Sequence, residues 1–422
     1  MFGPGALVAL GALLALGMAT HQAPLTLLST ALLLASLLSQ VWRRYCLTGV
    51  EYRRRLGKRR AAFGETIDME VEIVNRKPLP LTWLRIFDEM PEGARPTKGR
   101  VYLSHLAGRV VLDSVVALRP FERVRRRHPI PCTRRGGFEV GPVRLSSGDL
   151  FGLVTRDEEL PLTDAFVVWP RIVPLRDQAL PARQPLGELR THSWLFEDPA
   201  RIAGAREYRP GDPTRRVHWP ASVRAQRLLA KVYEPTTSRR LVVLLNLHPA
   251  EQWTFEGYDP DVVEFTIMAA ASVVSWACDA GYQVGLMANG IHRRGDLGIE
   301  VRPAAGATQR VRLLDALGML DQLAVHPFER TVAEAAPRLR YGTTVVAVSG
   351  ALGRAGAERL SELPRRGHPT ALIHTGAGRP AVPGALRGVT VRRAGPARQW
   401  RELPEIRLSA AGGAGAANGG RA

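Results

Sequence analysis

The sequence predicts a chain of mixed class, with a two-helix transmembrane hairpin, a small β-sandwich and a doubly wound α/β domain. Three observations predict it. Two uncharged apolar runs occupy residues 2–20 and 23–42. Short alternating strands follow as far as residue 178, and beyond residue 240 apolar strands alternate with helices. The 422 residues leave room for all three parts.

The first part, residues 1–45, is predicted to be the transmembrane hairpin. Each apolar run has the roughly 20 residues that a helix needs to cross a bilayer. A cleaved signal peptide is the alternative for the first run, but no basic region precedes it and a second run follows at once. Residues 43–60 then hold eight basic residues against one acid. The positive-inside rule therefore predicts that the rest of the chain is cytoplasmic.

The formal net charge of +19 favours anionic partners. The basic cluster after the second apolar run accounts for a large share of it, and we expect residues 1–60 to contact anionic membrane lipid. Nucleic acid is not expected, because aromatic interleaving and reader motifs are missing from the sequence. Three widely spaced cysteines, Cys46, Cys132 and Cys278, fit neither a disulfide framework nor a zinc site. Their number and spacing indicate a reducing compartment.

Period-2 alternation predicts the β-sandwich across residues 46–178. The clearest run, IDMEVEIVNR at 67–76, places apolar side chains on one face and glutamates on the other. Similar strands are predicted at 108–120 and 138–147, with no amphipathic helix between them. The basic stretch at 123–137 is interpreted as a solvated edge strand, because charges at an edge discourage pairing with another chain.

The α/β domain is predicted at 241–408, followed by a disordered low-complexity tail at 409–422. It opens on a continuous apolar strand at 241–247, which is typical of a strand buried on both faces. A long helix is predicted from Asp259-Pro260 to a position just before Gly281. Further strands are predicted at 282–288, 343–349, 370–375 and 388–393, with helices at 307–320, 329–340 and 353–363.

Residues 179–240 are predicted to be a proline-rich linker that leads into an arginine-rich segment, AREYRPGDPTRRVHWPASVR at 205–224. As a catalytic relay this segment would offer Asp212, His218 and Ser222, but three residues of one loop rarely converge in that way. As a metal site it offers one histidine and two acids among several guanidinium groups, which repel a cation. Neither kind of site is expected.

The same segment suits a structural clasp, a protein-recognition patch, or both. Pro210 and Gly211 predict a turn in which Asp212 accepts hydrogen bonds from the backbone. Glu207 could accept an arginine bidentately. Trp219 would supply buried area and a stacking surface, and tryptophan and arginine are common anchors of protein interfaces.

The predicted strands of the α/β domain end in neutral polar residues. In an open α/β sheet, ligands bind beyond the carboxyl ends of the strands. The residues found there are Asn246 and His248, then Asn289, Ser349 and Thr375. Because GxGxxG, P-loop and GxSxG motifs are missing from the sequence, we expect no nucleotide, no cofactor and no catalytic residue.

The arginine-rich segment resembles the signature of domain-of-unknown-function family 58. Members of this family are membrane-anchored and often associated with MoxR-type AAA+ ATPases. The resemblance extends to GETIDMEVEIVNR at 64–76, RRGGFEVGPVRLSSGDLFGL at 134–153 and FVVWPRIVPL at 166–175. The signature positions in this chain are Arg206, Glu207, Tyr208, Pro210, Gly211, Asp212, Arg215, His218, Trp219, Ser222 and Arg224.

The resemblance also implies that the α/β domain is similar to a von Willebrand factor A domain. The metal site of such a domain begins D-x-S-x-S after the first strand. The corresponding residues here are Asn246-Leu247-His248-Pro249-Ala250, so the carboxylate and both hydroxyl groups are replaced. Because a hard divalent cation requires oxygen ligands with compensating charge, this site is interpreted as degenerate and without metal.

The function implied by the resemblance is a non-enzymatic adaptor or scaffold. It would be a multi-pass protein of the bacterial inner (cytoplasmic) membrane, working with a MoxR-like AAA+ ATPase in assembly or maturation of other proteins. The alternative is a metal-dependent ligand-binding protein of the von Willebrand A type. Its magnesium or manganese ion would be held by Ser349 and an acid from elsewhere.

Overall fold

The computed structural model divides into two compact units, Met1–Trp169 and Pro170–Ala422. The residues that it describes are 4–149, 154–177, 197–208, 217–235, 240–248, 259–292, 295, 297–378, 385–395 and 397–410. The chain is of mixed α and β class, with sheets in both units and apolar helices at the N-terminus.

The first unit begins with two consecutive apolar helices, α1 (Pro4–Ala19) and α2 (Ala23–Tyr45). They are joined by a short turn in which the Gln22 amide donates to the Gly17 carbonyl at 3.1 Å. In the described part of the chain, two helices are long and apolar enough to cross a membrane: α2 and the helix Pro260–Asp279. Only 17% of the apolar stretch of α2 is buried, whereas 72% of the apolar stretch of Pro260–Asp279 is buried. The helix Pro260–Asp279 is therefore explained as a core helix.

Eleven strands in three sheets form the rest of the described first unit. They are β1 (Val50–Leu56), β2 (Arg60–Ala61), β3 (Thr66–Asn75), β4 (Leu81–Pro91), β5 (Arg100–Leu103), β6 (Arg109–Leu118), β7 (Arg123–Pro131), β8 (Gly136–Val140), β9 (Val143–Gly148), β10 (Thr155–Leu160) and β11 (Asp164–Val168). The sheet orders are β1-β3-β7, β10-β9-β4-β6-β5 and β2-β11-β8.

Alternation along β3 positions the core of this unit. Ile67, Met69 and Ile73 are buried, and they belong to one apolar cluster with inward residues of β4, β6 and β9. The opposite face of β3 carries glutamates, and Glu72 accepts from Arg125 of β7 at 3.2 Å. β7 lies at the edge of its sheet. Its arginines are thus partly neutralised by the neighbouring strand.

A buried ionic network ties β1 to β4. The Arg54 guanidinium donates to the Asp88 carboxylate at 2.5 Å and to Asp164 at 2.8 Å. The Arg54 and Asp88 side chains are only 1% and 2% exposed. The Tyr52 hydroxyl donates to the second Asp88 oxygen at 2.6 Å. Burial and the adjacent carboxylate raise the pKa of Tyr52 well above its usual value, so this hydroxyl stays a donor.

The C-terminal turns of α2 are fastened to the loop that follows β9. The Ser39 hydroxyl donates to the buried Asp149 carboxylate, and the Trp42 indole donates to the Gly148 carbonyl, both at 2.9 Å. The Asp149 carboxylate also caps the Val154 amide at 2.9 Å. Residues 1–45 were predicted to be a separate part of the chain, but these contacts join the end of α2 to the strands.

The described part of the second unit contains a nine-stranded sheet and a two-stranded one. Its strands are β12 (Leu175–Asp177), β13 (Glu197–Glu207), β14 (Leu229–Pro235), β15 (Arg240–Asn246), β16 (Gln283–His292), β17 (Leu297–Ala304), β18 (Leu320–Ala324), β19 (Thr344–Ser349), β20 (Thr370–His374), β21 (Val389–Arg393) and β22 (Ile406–Ala410). Its helices are α3 (Trp219–Ala225), α4 (Pro260–Asp279), α5 (Ala307–Gly318), α6 (Phe328–Ala335) and α7 (Arg354–Arg365).

Parallel pairing links β16, β15, β19, β20 and β21 in that spatial order. From β15 the chain passes to β16 on one side and later to β19 on the other. The carboxyl end of β15 is therefore a topological switch point, where α/β sheets usually bind ligands. Helix α4 begins as predicted, with the Asp259 carboxylate accepting from the Asp261 amide. Gly281 follows it with φ of 78°, a conformation that glycine adopts without strain.

The edges of the large sheet were not predicted from the sequence. β17 and β22 run antiparallel to their neighbours β16 and β21. β12 pairs with β22, so Leu175–Asp177 belong to the second unit although the sequence grouped them with the sandwich. Ser409 and Ala410, assigned to the tail, lie in β22. The remainder of the predicted tail lies outside the described residues.

Candidate functional site

The arginine-rich segment is framed by the antiparallel pair β13 and β14. Arg206 pairs with Ala230 and Glu207 with Leu229. The Tyr208 amide extends the pairing by donating to the Leu228 carbonyl at 3.0 Å. This ladder fixes the first residues of the segment by main-chain bonds.

Helix α3 starts where the described chain resumes, and two signature side chains hold it. The His218 amide donates to the Leu229 carbonyl at 2.8 Å, and its imidazole Nδ1 accepts from the Ala221 amide at 3.2 Å. The Ser222 hydroxyl accepts from the Leu229 amide at 2.9 Å and donates to the His218 carbonyl at 3.0 Å. His218 and Ser222 therefore cap α3 and fold it back on β14, and the hydroxyl is directed to a carbonyl rather than to the imidazole.

One face of α3 is apolar and open to solvent. Trp219 is 65% exposed and Val223, one turn later, is 75% exposed. Residues four apart lie on the same side of a helix, so these two form one surface, the α3 face. Trp219 was expected to contribute buried area, but it stands exposed at the first position of α3. Arg224, on the same short helix, is also exposed.

The glutamate of the signature makes a weaker pair than the sequence suggested. Glu207 lies 3.7 Å from the Arg227 guanidinium, and both side chains are more than half exposed. Such a surface pair contributes little stability. Arg206 donates to the Glu207 carbonyl at 3.0 Å. The predicted turn and its neighbours, Pro210, Gly211, Asp212 and Arg215, lie outside the described residues.

The switch point of the large sheet is occupied by an amide network of Asn246, Asn289 and Ser349. The Asn246 amide nitrogen donates to the Ser349 hydroxyl at 2.8 Å and to the Ala351 carbonyl at 2.9 Å. Its oxygen accepts from the His248 amide at 3.1 Å and from the Asn289 side chain at 2.9 Å. An asparagine side chain can make four hydrogen bonds, and protein groups fill all four here.

The second asparagine closes the network. The Asn289 amide nitrogen also donates to the His326 carbonyl at 3.1 Å, and its oxygen accepts from the Leu247 amide at 2.8 Å. Asn289 and Ser349 are fully buried, and Asn246 is 4% exposed. The structure thus brings together three of the four strand ends that the sequence singled out. Because their hydrogen bonds are satisfied internally, their chemistry is that of a structural clamp.

Thr375, the remaining predicted strand-end residue, makes a separate contact. Its hydroxyl lies 2.6 Å from that of Thr266 on α4. Thr266 was not predicted; the signal in the sequence was a hydroxyl residue among the apolar residues of a predicted helix. The neighbouring His374 is buried, which lowers the pKa of its imidazole and favours the neutral form.

Metal-ligating and thiol chemistry receive no support from the described residues. Across the described ranges, no three His, Cys, Asp or Glu side chains lie close enough together to hold a metal ion. Burial raises the pKa of Cys46 and Cys278, and raises that of Cys132 to about 11. A raised pKa reduces the thiolate fraction on which cysteine reactivity depends.

By its fold and candidate sites, the chain is a mixed α/β protein with an exposed face on helix α3 and a closed amide network at the strand ends of the large sheet. Residues 204–357 match the family described as protein of unknown function DUF58. The chain is also 24% identical over 247 residues to the uncharacterized protein YeaD of Bacillus subtilis (strain 168). That alignment covers 58% of this chain and 57% of the relative, so the chain spans little more than half of its length.

Two solved structures that are similar to part of the chain match it at low TM-scores. A DNA glycosylase, AlkC of Pseudomonas fluorescens, shows 18% identity and a TM-score of 0.19, covering 34% of this chain and 38% of that one. A cohesin module of a Clostridium perfringens family 33 glycoside hydrolase shows 12% identity and a TM-score of 0.21, covering 29% and 97%. Scores this low give no basis for transferring a function.

Proposed function

We propose that this chain is a membrane-anchored, non-enzymatic adaptor or scaffold that binds a protein partner through the α3 face. One observation carries the proposal. Trp219 and Val223 are exposed on a helix whose position is fixed by His218 and Ser222. A large aromatic side chain exposed on a helix that hydrogen bonds hold in place has the form of a protein-binding anchor, because the helix backbone is already ordered before a partner binds.

The proposal that the chain is not an enzyme is supported by the amide network at the switch point. The amide network fills the place where α/β sheets bind ligands, and the four hydrogen-bonding positions of Asn246 are used by protein atoms. A buried polar network that is fully satisfied rigidifies a core and resists replacement by an incoming ligand. We interpret the second unit as a von Willebrand A-like domain whose metal site has become such a clamp.

The membrane placement is supported by α2. Large apolar side chains stand exposed along it, with Leu27 71% and Leu38 66% exposed, and Arg43 and Arg44 lie in its last turn. Exposed leucines suit lipid, and the arginines suit a head-group layer on the cytoplasmic side. We propose that α1 and α2 form a transmembrane hairpin in a bacterial inner membrane, with both soluble units in the cytoplasm.

The proposed partner is a MoxR-like AAA+ ATPase, and the proposed role is assembly or maturation of other proteins. The choice of partner follows from the resemblance of Arg206–Arg224 to the signature of domain-of-unknown-function family 58. The exposed Arg224 beside the α3 face adds a cation to an apolar surface. An acidic rim around a hydrophobic pocket on the ATPase would complement it.

Replacing Trp219 with alanine tests the proposal. We expect capture of a purified MoxR-like ATPase by the full-length protein in detergent to weaken by roughly thirtyfold, the loss typical of an interface anchor. Because the side chain is 65% exposed, the melting temperature should not change. The matched control is Tyr341→Ala, an aromatic that is 76% exposed outside α3. Equal capture by Trp219→Ala, Tyr341→Ala and wild type would remove the α3 face from the proposal.

The competing function is metal-dependent ligand binding at Ser349. That hypothesis needs a free oxygen ligand at the switch point, whereas the Ser349 hydroxyl accepts from Asn246 and donates to the Ala351 carbonyl. A cation there would have to break the amide network. This observation favours the adaptor.

A further inference from the structure

An open cleft of about 730 Å³ lies where α2 meets β10. Its lining residues come from the last turns of the helix and the first residues of the strand. They are Gln40, Val41, Arg43, Arg44, Thr155 and Arg156. Three of these six carry a guanidinium group, and the set contains no carboxylate. We refer to it as the arginine cleft.

The arginine cleft is a fixed feature of the first unit. The contacts of Ser39 with Asp149 and of Trp42 with Gly148 hold the helix end against the strands. Arg156 adds a further link, because its guanidinium donates to the Arg44 carbonyl at 2.8 Å. Two segments more than a hundred residues apart in sequence thus present their arginines to one space, and that geometry is set before any ligand arrives.

The charge in the arginine cleft is only partly neutralised. Glu158 lies 3.8 Å from Arg156, at the far end of the ion-pair range, and both side chains are more than 40% exposed. Within the described residues no carboxylate pairs with Arg43 or Arg44. An anion with several acceptor oxygens could therefore bind three guanidinium groups, and in the described part of the chain the only ion pair that it would disturb is the weak surface pair of Arg156 with Glu158.

We propose that the arginine cleft binds the phosphodiester of an anionic phospholipid head group. Arginine forks match phosphate oxygens bidentately, and the Thr155 hydroxyl in the lining can hydrogen-bond to a head-group hydroxyl. The space exceeds that of a lone phosphate. Val41, 51% exposed, is the one apolar residue in the set of six lining residues, and an acyl chain could contact it. This proposal depends on the membrane placement of α2, since only then does the cleft lie at head-group depth.

Binding of short-chain phosphatidylglycerol to the full-length protein in nonionic detergent tests this site. The readout is the shift in melting temperature as the lipid is titrated, with short-chain phosphatidylcholine and inorganic phosphate as the comparison probes. We expect saturable stabilisation by phosphatidylglycerol alone. Arg156→Gln should weaken the apparent affinity roughly fivefold, the contribution of one arginine at an anionic lipid surface. Arg119→Gln, an exposed arginine on the same unit, makes the same charge change outside the cleft and should leave the affinity unchanged.

Three results would overturn the assignment. Equal loss in Arg156→Gln and Arg119→Gln would mean general charge attraction, and stabilisation by inorganic phosphate to the same extent would mean a free-anion site. Failure of phosphatidylglycerol to stabilise the wild type would remove the site altogether. Alkaline carbonate extraction of cell membranes separates these results from failure of the membrane proposal. A protein that stays in the membrane but binds no lipid contradicts only the cleft, whereas a protein that is extracted contradicts the anchor.

Discussion

Replacing Arg54 with alanine should lower the free energy of unfolding of the first unit by about 3–5 kcal/mol, the cost of removing one partner of a buried ion pair. The change leaves the Asp88 carboxylate, 2% exposed, without its cation. It also strips two carbonyls of their donor, because the guanidinium bonds Val140 at 2.8 Å and Leu162 at 3.0 Å. Denaturant unfolding of the full chain in detergent, followed by circular dichroism, measures the loss.

The neighbouring arginine provides a matched control. Arg53 pairs with Glu51 at 3.0 Å, but these side chains are 51% and 34% exposed. Arg53→Ala should therefore cost no more than about 1 kcal/mol. A double change of Arg54 and Asp88 should cost much less than the sum of the two single changes, because it removes the stranded charge. Equal losses at Arg53 and Arg54 would mean that the buried network does not stabilise the unit.

Converting Asn246 to aspartate should destabilise the second unit by about 3 kcal/mol, since two buried donor bonds are lost and a carboxylate faces a carbonyl. The amide nitrogen now donates to Ser349 and Ala351, and an ionised carboxylate can donate to neither. The change introduces the acid with which a von Willebrand A metal site begins, but His248, at the next position of that motif, supplies no hydroxyl. We therefore expect a loss of stability that magnesium does not recover, measured as a fall in the melting temperature with and without the ion.

Gln283→Glu is the control for this change. It makes the same amide-to-acid substitution at a half-buried position where the side chain accepts from Arg240 at 2.8 Å. A carboxylate accepts that bond at least as well, so the stability should stay within about 0.5 kcal/mol of wild type. If Asn246→Asp were equally harmless, or if magnesium restored its stability, the interpretation of the amide network as a closed clamp would be wrong.

Periodicity was sufficient to predict the centre of each unit. The alternation at 67–76 and the apolar run at 241–247 correspond to β3 and β15, because the buried faces of both strands impose their pattern on the sequence. Asp259 and Gly281 bound α4 for equally local reasons. The edge strand β12 and its neighbour β22 could not be predicted in this way, since their pairing joins residues more than two hundred positions apart. Their apolar pattern is also weaker, because one side of each strand faces solvent.

The sequence predicted which residues lie at the site better than it predicted their contacts. The rule that strand ends meet at one edge of a sheet placed Asn246, Asn289 and Ser349 near one another, but it could not show that their side chains hydrogen-bond to one another. Trp219 was expected to be buried, because aromatic residues usually are, and the direction of a seven-residue helix decided otherwise. The arginine cleft was beyond prediction, since Arg156 joins Arg43 and Arg44 only through tertiary packing.

Calorimetric titration of the full-length protein with magnesium and manganese is the decisive experiment on whether an amide network closes the switch point and leaves the chain to act by binding protein. We expect no saturable heat and no change in melting temperature with either ion, because the oxygens of Asn246 and Ser349 already accept hydrogen bonds from protein donors. Saturable binding that disappears in Asn246→Ala or Ser349→Ala would show that the switch point is open to a cation and would favour a metal-dependent ligand-binding protein.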